Sequence, residues 1–227
     1  MNAVEMLLSQ WSARLDDSAV IAQPVLPLVQ WWMLAGWGLV LVALGLLLVG
    51  RLTRRVWVAW CLALFMAVMV WLPGAVSPVH WLGLAFQAPS LASAVVALFW
   101  LYRKMFVPQT TDSNGDWRSA AVAVMALGWL LLLDTFAVFP WSVYAWGFSP
   151  VAVFAAAALF VSVWGMAGHR KAVQPAALAV LLVLFVFVLL RLPTGNLWDA
   201  LLDPWLWVFA HVHFVWAWRR SSLQEAR

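Results

Sequence analysis

Asp134 is the residue in this sequence whose position most strongly suggests chemistry. It follows four consecutive leucines, Leu130 to Leu133, and precedes the predicted outer end of an apolar helix by about five residues. At about 1.5 Å per residue, its carboxyl group would lie roughly 8 Å below the membrane boundary. An isolated carboxylate there is costly, so it must be paired, protonated or in contact with water. It therefore marks either a proton or cation path, or a packing contact with Arg191 or a histidine.

Two histidines on the last apolar helix are candidate partners for this carboxylate. Counted from Pro204, His211 and His213 lie roughly 10 and 13 Å below the outer boundary. Residues two apart on a helix point about 200° apart, so this pair cannot ligate one metal ion or one haem together. Either imidazole could hydrogen-bond Asp134, which would favour the protonated imidazole. A hydrogen-bonded packing role is the alternative for each histidine.

The segment 73–89 contains two further polar residues on the predicted outer side. Its prolines and short apolar run predict an interfacial or re-entrant helix that ends at Pro89. His80 and Gln87 would lie on that segment, where Gln87 could line a pocket. A histidine that simply lies at the membrane interface is the alternative for His80.

A metal or haem site would have to combine histidines from different segments. A b-type haem or a copper ion would need His80 together with His211 or His213, since His169 belongs to a basic cluster on the other side. Asp199 is a further outer polar candidate. The following Asp203 is predicted to cap the last helix.

Several activities are excluded by missing motifs. A retinal Schiff base needs a lysine inside the last helix, and Lys104 and Lys171 both lie at predicted cytoplasmic ends. The sequence has no His-Glu-x-x-His zinc element and no phosphate-binding glycine motif. A single cysteine, Cys61, excludes an intrachain disulfide, and its apolar surroundings predict a small core side chain.

The composition predicts a membrane protein built from helices. Hydrophobic residues make up 66% of the chain and charged residues 10%, against about 25% charged residues in a soluble domain. Strand-like alternation is absent, so the fold class is all-α: a polytopic transmembrane helical bundle. The basic residues form short clusters at helix ends, which indicates orientation signals and no nucleic-acid binding.

Seven apolar stretches are long enough to predict spanning helices. They occupy residues 30–50, 56–72, a part of 78–102, 119–139, 150–168, 172–192 and 204–218. Of the 13 Lys and Arg residues, all except Arg14 and Arg191 fall on one side of the resulting topology. Because basic loops stay in the cytoplasm, the N-terminus is predicted outside a bacterial inner membrane and the C-terminus inside.

Three regions follow from this topology. Residues 1–29 form a periplasmic segment that begins with an amphipathic interfacial helix, residues 30–220 form the seven-helix domain, and residues 221–227 form a cytoplasmic tail. At three outer turns, Ser-Pro or Asp-Pro precedes a helix: Ser77-Pro78, Ser149-Pro150 and Asp203-Pro204. Ser or Asp is predicted to cap each of these helices.

Three functions are compatible with this pattern. The favoured one is a non-catalytic subunit or an assembly and scaffold partner of a larger membrane complex, in contact with the lipid bilayer and with other subunits or copies of itself. The second is a small proton-coupled transporter that uses Asp134 with His211 or His213, and Arg191 as a relay candidate. The third is a redox protein with haem b or copper. No acid–base pair that would indicate an enzyme is evident.

Overall fold

The described part of the chain consists of helices and the turns that connect them. This computed structural model describes residues 23–52, 56–106, 118–167 and 174–225, and it contains no strand within those ranges. The α-helices in chain order are α1 (Leu26–Leu52), α2 (Val56–Val70), α3 (Pro78–Phe86), α4 (Leu91–Phe106), α5 (Arg118–Thr135), α6 (Val143–Trp146), α7 (Pro150–Ala167), α8 (Gln174–Leu190), α9 (Leu197–Leu201) and α10 (Pro204–Glu225). A short 3-10 helix, Gly74–Val76, precedes α3. The all-α fold class is therefore confirmed over the described residues.

Within the described residues, one helix is long and apolar enough to cross a membrane by itself. It is the stretch Leu26–Val49 of α1, with a mean hydropathy of 2.3. Other apolar helices are shorter: Trp57–Val70, Ser119–Thr135, Pro150–Ser162 and Leu178–Leu190. Every predicted span overlaps one of the long helices, but a membrane crossing by all seven remains a prediction. The amphipathic helix predicted near the N-terminus lies outside the described residues.

The helix α4 lies at the centre of the packing. It contacts α1, α8, α9 and α10, whereas α2 packs against α1, and α5 packs mainly against α10. The largest cluster of buried side chains joins α4, α8 and α9 and includes Leu91, Val183, Phe187 and Leu197. Because Phe187 and Leu197 are 0% exposed, the short helix α9 belongs to the core.

The outside of the bundle is largely apolar. Its exposed side chains include Leu64, Phe154, Leu159 and Phe185. An exterior of this kind is unfavourable in water and is typical of helices that face lipid or another protein. Cys61 lies on this exterior, so the prediction of a core position for this cysteine is wrong.

The helices α3, α7 and α10 begin at capped turns on the side of the bundle that the sequence predicts to be outside. In α3 the hydroxyl of Ser77 accepts a hydrogen bond from the Val79 amide, so the predicted cap is confirmed. Ser149 and Asp203 likewise accept from the amides two and three residues further on, at the starts of α7 and α10. The predicted short helix in 73–89 is also confirmed, although it ends at Phe86 rather than at Pro89.

Candidate functional site

Asp134 binds the N-terminal end of α6. Its carboxylate accepts hydrogen bonds from the Ser142 hydroxyl at 3.1 Å, the Val143 amide at 3.0 Å and the Tyr144 amide at 2.8 Å. A carboxylate is well placed at such an end, because the first amides of a helix have no partner within it. The sequence predicts Arg191 or a histidine as the packing partner of Asp134. Among the described residues, the observed partner is this end of α6.

The end of α5 explains why Asp134 can do this. The predicted span reaches residue 139, whereas α5 ends at Thr135. Beyond it the chain turns through Ala137, whose φ is 53°, and returns towards the carboxylate. Asp134 therefore lies in the last turn of its helix, and not about five residues before the helix end as the sequence predicts.

Tyr144 connects α6 to α9. Its hydroxyl donates to Asp199 at 2.7 Å, and the Thr194 hydroxyl donates to the same carboxylate. Burial raises the pKa of the Tyr144 phenol above its ordinary value, and the hydrogen bond to Asp199 raises that pKa further. The phenol therefore remains a proton donor at neutral pH, and Asp199 acts as a fixed acceptor.

Asn196 connects the same two helices through its amide group. This side chain is 0% exposed. Its Nδ2 donates to the Tyr144 carbonyl at 2.9 Å, and its Oδ1 accepts from the Trp198 amide at 2.9 Å. Gly147 lies directly against it, so that a Cβ at Gly147 would overlap Asn196 Oδ1. The close approach of α6 and α9 thus requires glycine at this position.

We call the polar side chains that join α5, α6 and α9 the outer polar layer, after the side on which the sequence predicts them. Its members are Asp134, Ser142, Tyr144, Thr194, Asn196 and Asp199. The two carboxylates accept N–H and O–H groups on α6 and the loop before α9. A metal ion, or a proton on either carboxylate, would have to compete with those donors.

Asp203 connects the start of α10 to the start of α4 through hydrogen bonds. Its Oδ1 accepts from the Leu206 amide and its Oδ2 from the Ser90 amide, both at 2.8 Å. The capping of α10 was predicted, whereas the second contact was not. The same turn before α4 is held from α1, because the Trp37 indole donates to the Gln87 carbonyl at 2.8 Å.

Gln87 and Arg191 both lie at helix ends with a left-handed backbone. The φ angles are 60° at Gln87 and 55° at Arg191, and the Gln87 side chain is exposed. The Arg191 amide donates to the Phe187 carbonyl at 2.8 Å, and its guanidinium carbon lies 5.1 Å from the Phe187 ring centroid. Both residues therefore terminate helices, which is a structural role.

The histidines lie in different surroundings. His211 Nδ1 is 2.8 Å from the Trp207 carbonyl, and its ring is edge-on to the rings of Trp207 and Trp129 between α10 and α5. His213 stacks on Phe209 of its own helix at 6.2 Å. His80 is exposed on α3. Among the described residues, no group of three or more His, Cys, Asp or Glu side chains could hold a metal ion.

The sequence analysis did not predict four members of the outer polar layer: Ser142, Tyr144, Thr194 and Asn196. The helices that they join are too short for a periodic pattern, since α6 has 4 residues and α9 has 5. A usable signal existed at the caps, because Ser and Asn are favoured at the position before a helix.

Comparison with known proteins gives no relative. No protein-family model matches this chain, and no curated protein or solved structure matches it.

Proposed function

We propose that this protein is a seven-span protein of a bacterial-type inner membrane, and that it acts as a non-catalytic subunit or assembly scaffold of a larger membrane complex. The long helices coincide with the seven apolar stretches, and the basic residues cluster at one set of helix ends. The outer polar layer then lies on the periplasmic side.

The main support for this proposal is that the carboxylates of Asp134 and Asp199 already accept several hydrogen bonds. Asp134 accepts three hydrogen bonds from consecutive residues, and Asp199 accepts two hydroxyl groups. A proton carrier needs a carboxylate that changes its protonation state during each cycle. Protonation of Asp134 would weaken the contacts that hold α6 against α5, so this carboxylate is suited to support structure.

The exterior favours partners within the membrane. Exposed aromatic side chains occur near the outer helix ends, as at Trp31, Trp71 and Trp141. Aromatic residues are enriched both at membrane interfaces and in protein–protein contacts. Other membrane subunits, or further copies of this chain, are the partners that this surface suits.

A pull-down of tagged protein in mild detergent, followed by mass spectrometry, tests this function. We expect stoichiometric partners for the wild type, less partner for Asp134→Asn, and no change in proton-coupled uptake by proteoliposomes. Thr135→Val is the matched control, because the Thr135 hydroxyl bonds only to the Leu131 carbonyl of its own helix. A partner-free protein whose Asp134→Asn variant stays folded but loses uptake would instead establish the transporter.

A haem-binding membrane protein is the second candidate, on the basis of His211. A carbonyl oxygen only accepts hydrogen bonds, so Nδ1 of His211 must donate to Trp207. In the neutral imidazole Nε2 then carries the lone pair, and it is this atom that would ligate a haem iron. A visible spectrum of the pulled-down sample tests this candidate. A Soret band that His211→Ala removes supports it, and a colourless sample overturns it.

A further inference from the structure

Lys104 is turned back towards the bundle at the inner end of α4. Its ammonium donates to the Leu46 carbonyl of α1 at 3.1 Å, and it lies 4.9 Å from the centroid of the Trp100 ring. The side chain is exposed. The positive charge is thus fixed at the junction of α1 and α4 in a place that remains accessible from outside the bundle.

Unused hydrogen-bond donors meet at this junction. An ammonium has three N–H donors, and one of those on Lys104 is used by Leu46. The indole N–H of Trp100 donates to none of the residues that the structure describes, and the ammonium lies over the ring that carries it. The carboxylates described with hydrogen bonds, Asp134, Asp199 and Asp203, all lie at the opposite ends of the helices. The junction therefore offers a cation and two kinds of donor to an anion.

The level of the junction indicates which anion is available. Leu46 lies about one helical turn before Val49, where the apolar stretch of α1 ends. In a bilayer, this is the boundary between the hydrocarbon layer and the headgroups, where lysine side chains and indole rings are both favoured. The anion found at that level is the phosphate of a phospholipid.

We propose that Lys104 and Trp100 form a binding site for the phosphate of an anionic phospholipid in the inner leaflet. The inference rests on the membrane placement given under the proposed function. The ammonium donates its two remaining N–H groups to phosphate oxygens, and the Trp100 indole donates a further one. The Leu46 carbonyl and the Trp100 ring hold the ammonium in position for this contact.

Native mass spectrometry of the full chain in detergent tests the site. Phosphatidylglycerol and phosphatidylcholine with identical acyl chains are titrated separately. We expect tighter binding of phosphatidylglycerol, and a loss of about tenfold in Lys104→Gln, since hydrogen bonds to a charged group are the strong ones. Trp100→Phe, which keeps a ring under the ammonium, is expected to lose about two- to threefold. Lys104→Arg should retain binding within about threefold because it restores the charge.

The control is a second exposed cation on the same predicted side. Arg219→Gln on α10 changes the net charge equally but lies outside the junction, so we expect binding within about twofold of the wild type. Equal losses in Lys104→Gln and Arg219→Gln would overturn the site in favour of a diffuse charge effect. Equal affinity for the two lipids, or displacement of lipid by an equal concentration of inorganic phosphate, would overturn it as well.

Partner recovery from the same membranes separates this test from that of the proposed function. If the wild type fails to insert or to recover partners, the proposed function fails. If it inserts and recovers partners while Lys104→Gln binds lipid like the wild type, the lipid site alone fails. A thermal unfolding curve for each variant shows that a loss of lipid comes from a folded protein.

Discussion

Replacement of Asn196 by alanine is the most direct test of how the outer connections are held. The amide is 0% exposed and makes two hydrogen bonds, one to the Tyr144 carbonyl and one from the Trp198 amide. The first joins α6 to α9, and the second caps α9. Alanine removes both without introducing a larger side chain, so the expected loss comes from the hydrogen bonds and from a small cavity.

The size of the loss follows from the cap and from the bond between the two helices. Removal of an Asn cap costs about 1 kcal/mol. The Tyr144 carbonyl keeps the Gly147 amide as a donor at 3.0 Å, so the lost bond to Asn196 adds the net value of one hydrogen bond, about 0.5–1.5 kcal/mol. We expect Asn196→Ala to lower the free energy of unfolding by about 1.5–2.5 kcal/mol.

Reversible unfolding in mixed detergent micelles measures this change. The matched control is Ser149→Ala, which removes a similar cap from α7, where the hydroxyl accepts only from the Val151 amide of its own helix, and which should cost at most about 1 kcal/mol. A loss below about 0.5 kcal/mol in Asn196→Ala would contradict the proposed role of the buried amide. An equal loss in both variants would show that the cap matters and that the bond between the two helices does not.

Three further predictions concern the same region and the turn before α4. Gly147→Ala forces a methyl group against Asn196 and should lower the free energy of unfolding by about 1–3 kcal/mol in the same assay. Trp37→Phe removes the indole N–H of a side chain that is 2% exposed, which donates to the Gln87 carbonyl, and a loss of about 1–3 kcal/mol is expected. The raised pKa of Tyr144 means that the unfolded chain ionises before the folded one does, so stability present below about pH 10 is lost as the pH rises further. Tyr144→Phe should therefore show a smaller alkaline loss in unfolding curves recorded between pH 8 and about 11, and identical losses would refute this assignment.

The long helices were predictable because their signals are local. An apolar run, a proline and a Ser or Asp cap all lie within a few residues of the element that they define. This is why the starts at Pro78, Pro150 and Pro204 coincide with the predicted ones. At the first span the prolines misled the prediction: α1 begins at Leu26, with Pro27 as its second residue, instead of at residue 30.

The contacts between elements could not be predicted in the same way. Asp134 and Tyr144 are near in sequence, but the turn that brings them together needs a left-handed residue at Ala137, which alanine does not signal. Asp203 and Ser90 are 113 positions apart, and nothing in either segment identifies the other. The central position of α4 depends on many such distant contacts.

The role of Asp134 depends on where its helix ends. A carboxylate about 8 Å inside a span would require a proton, a cation or water, and the sequence therefore favoured a functional site as one of two interpretations. In the structure α5 stops at Thr135, and the amides of Val143 and Tyr144 supply the compensation that lipid cannot. The first amides of the short helix α6 lack acceptors within that helix, and the carboxylate of Asp134 needs donors. Each group therefore satisfies the hydrogen-bonding requirement of the other. A proton path through Asp134 would have to break this arrangement at every cycle, which is why loss of partner binding, rather than loss of flux, is the expected effect of Asp134→Asn.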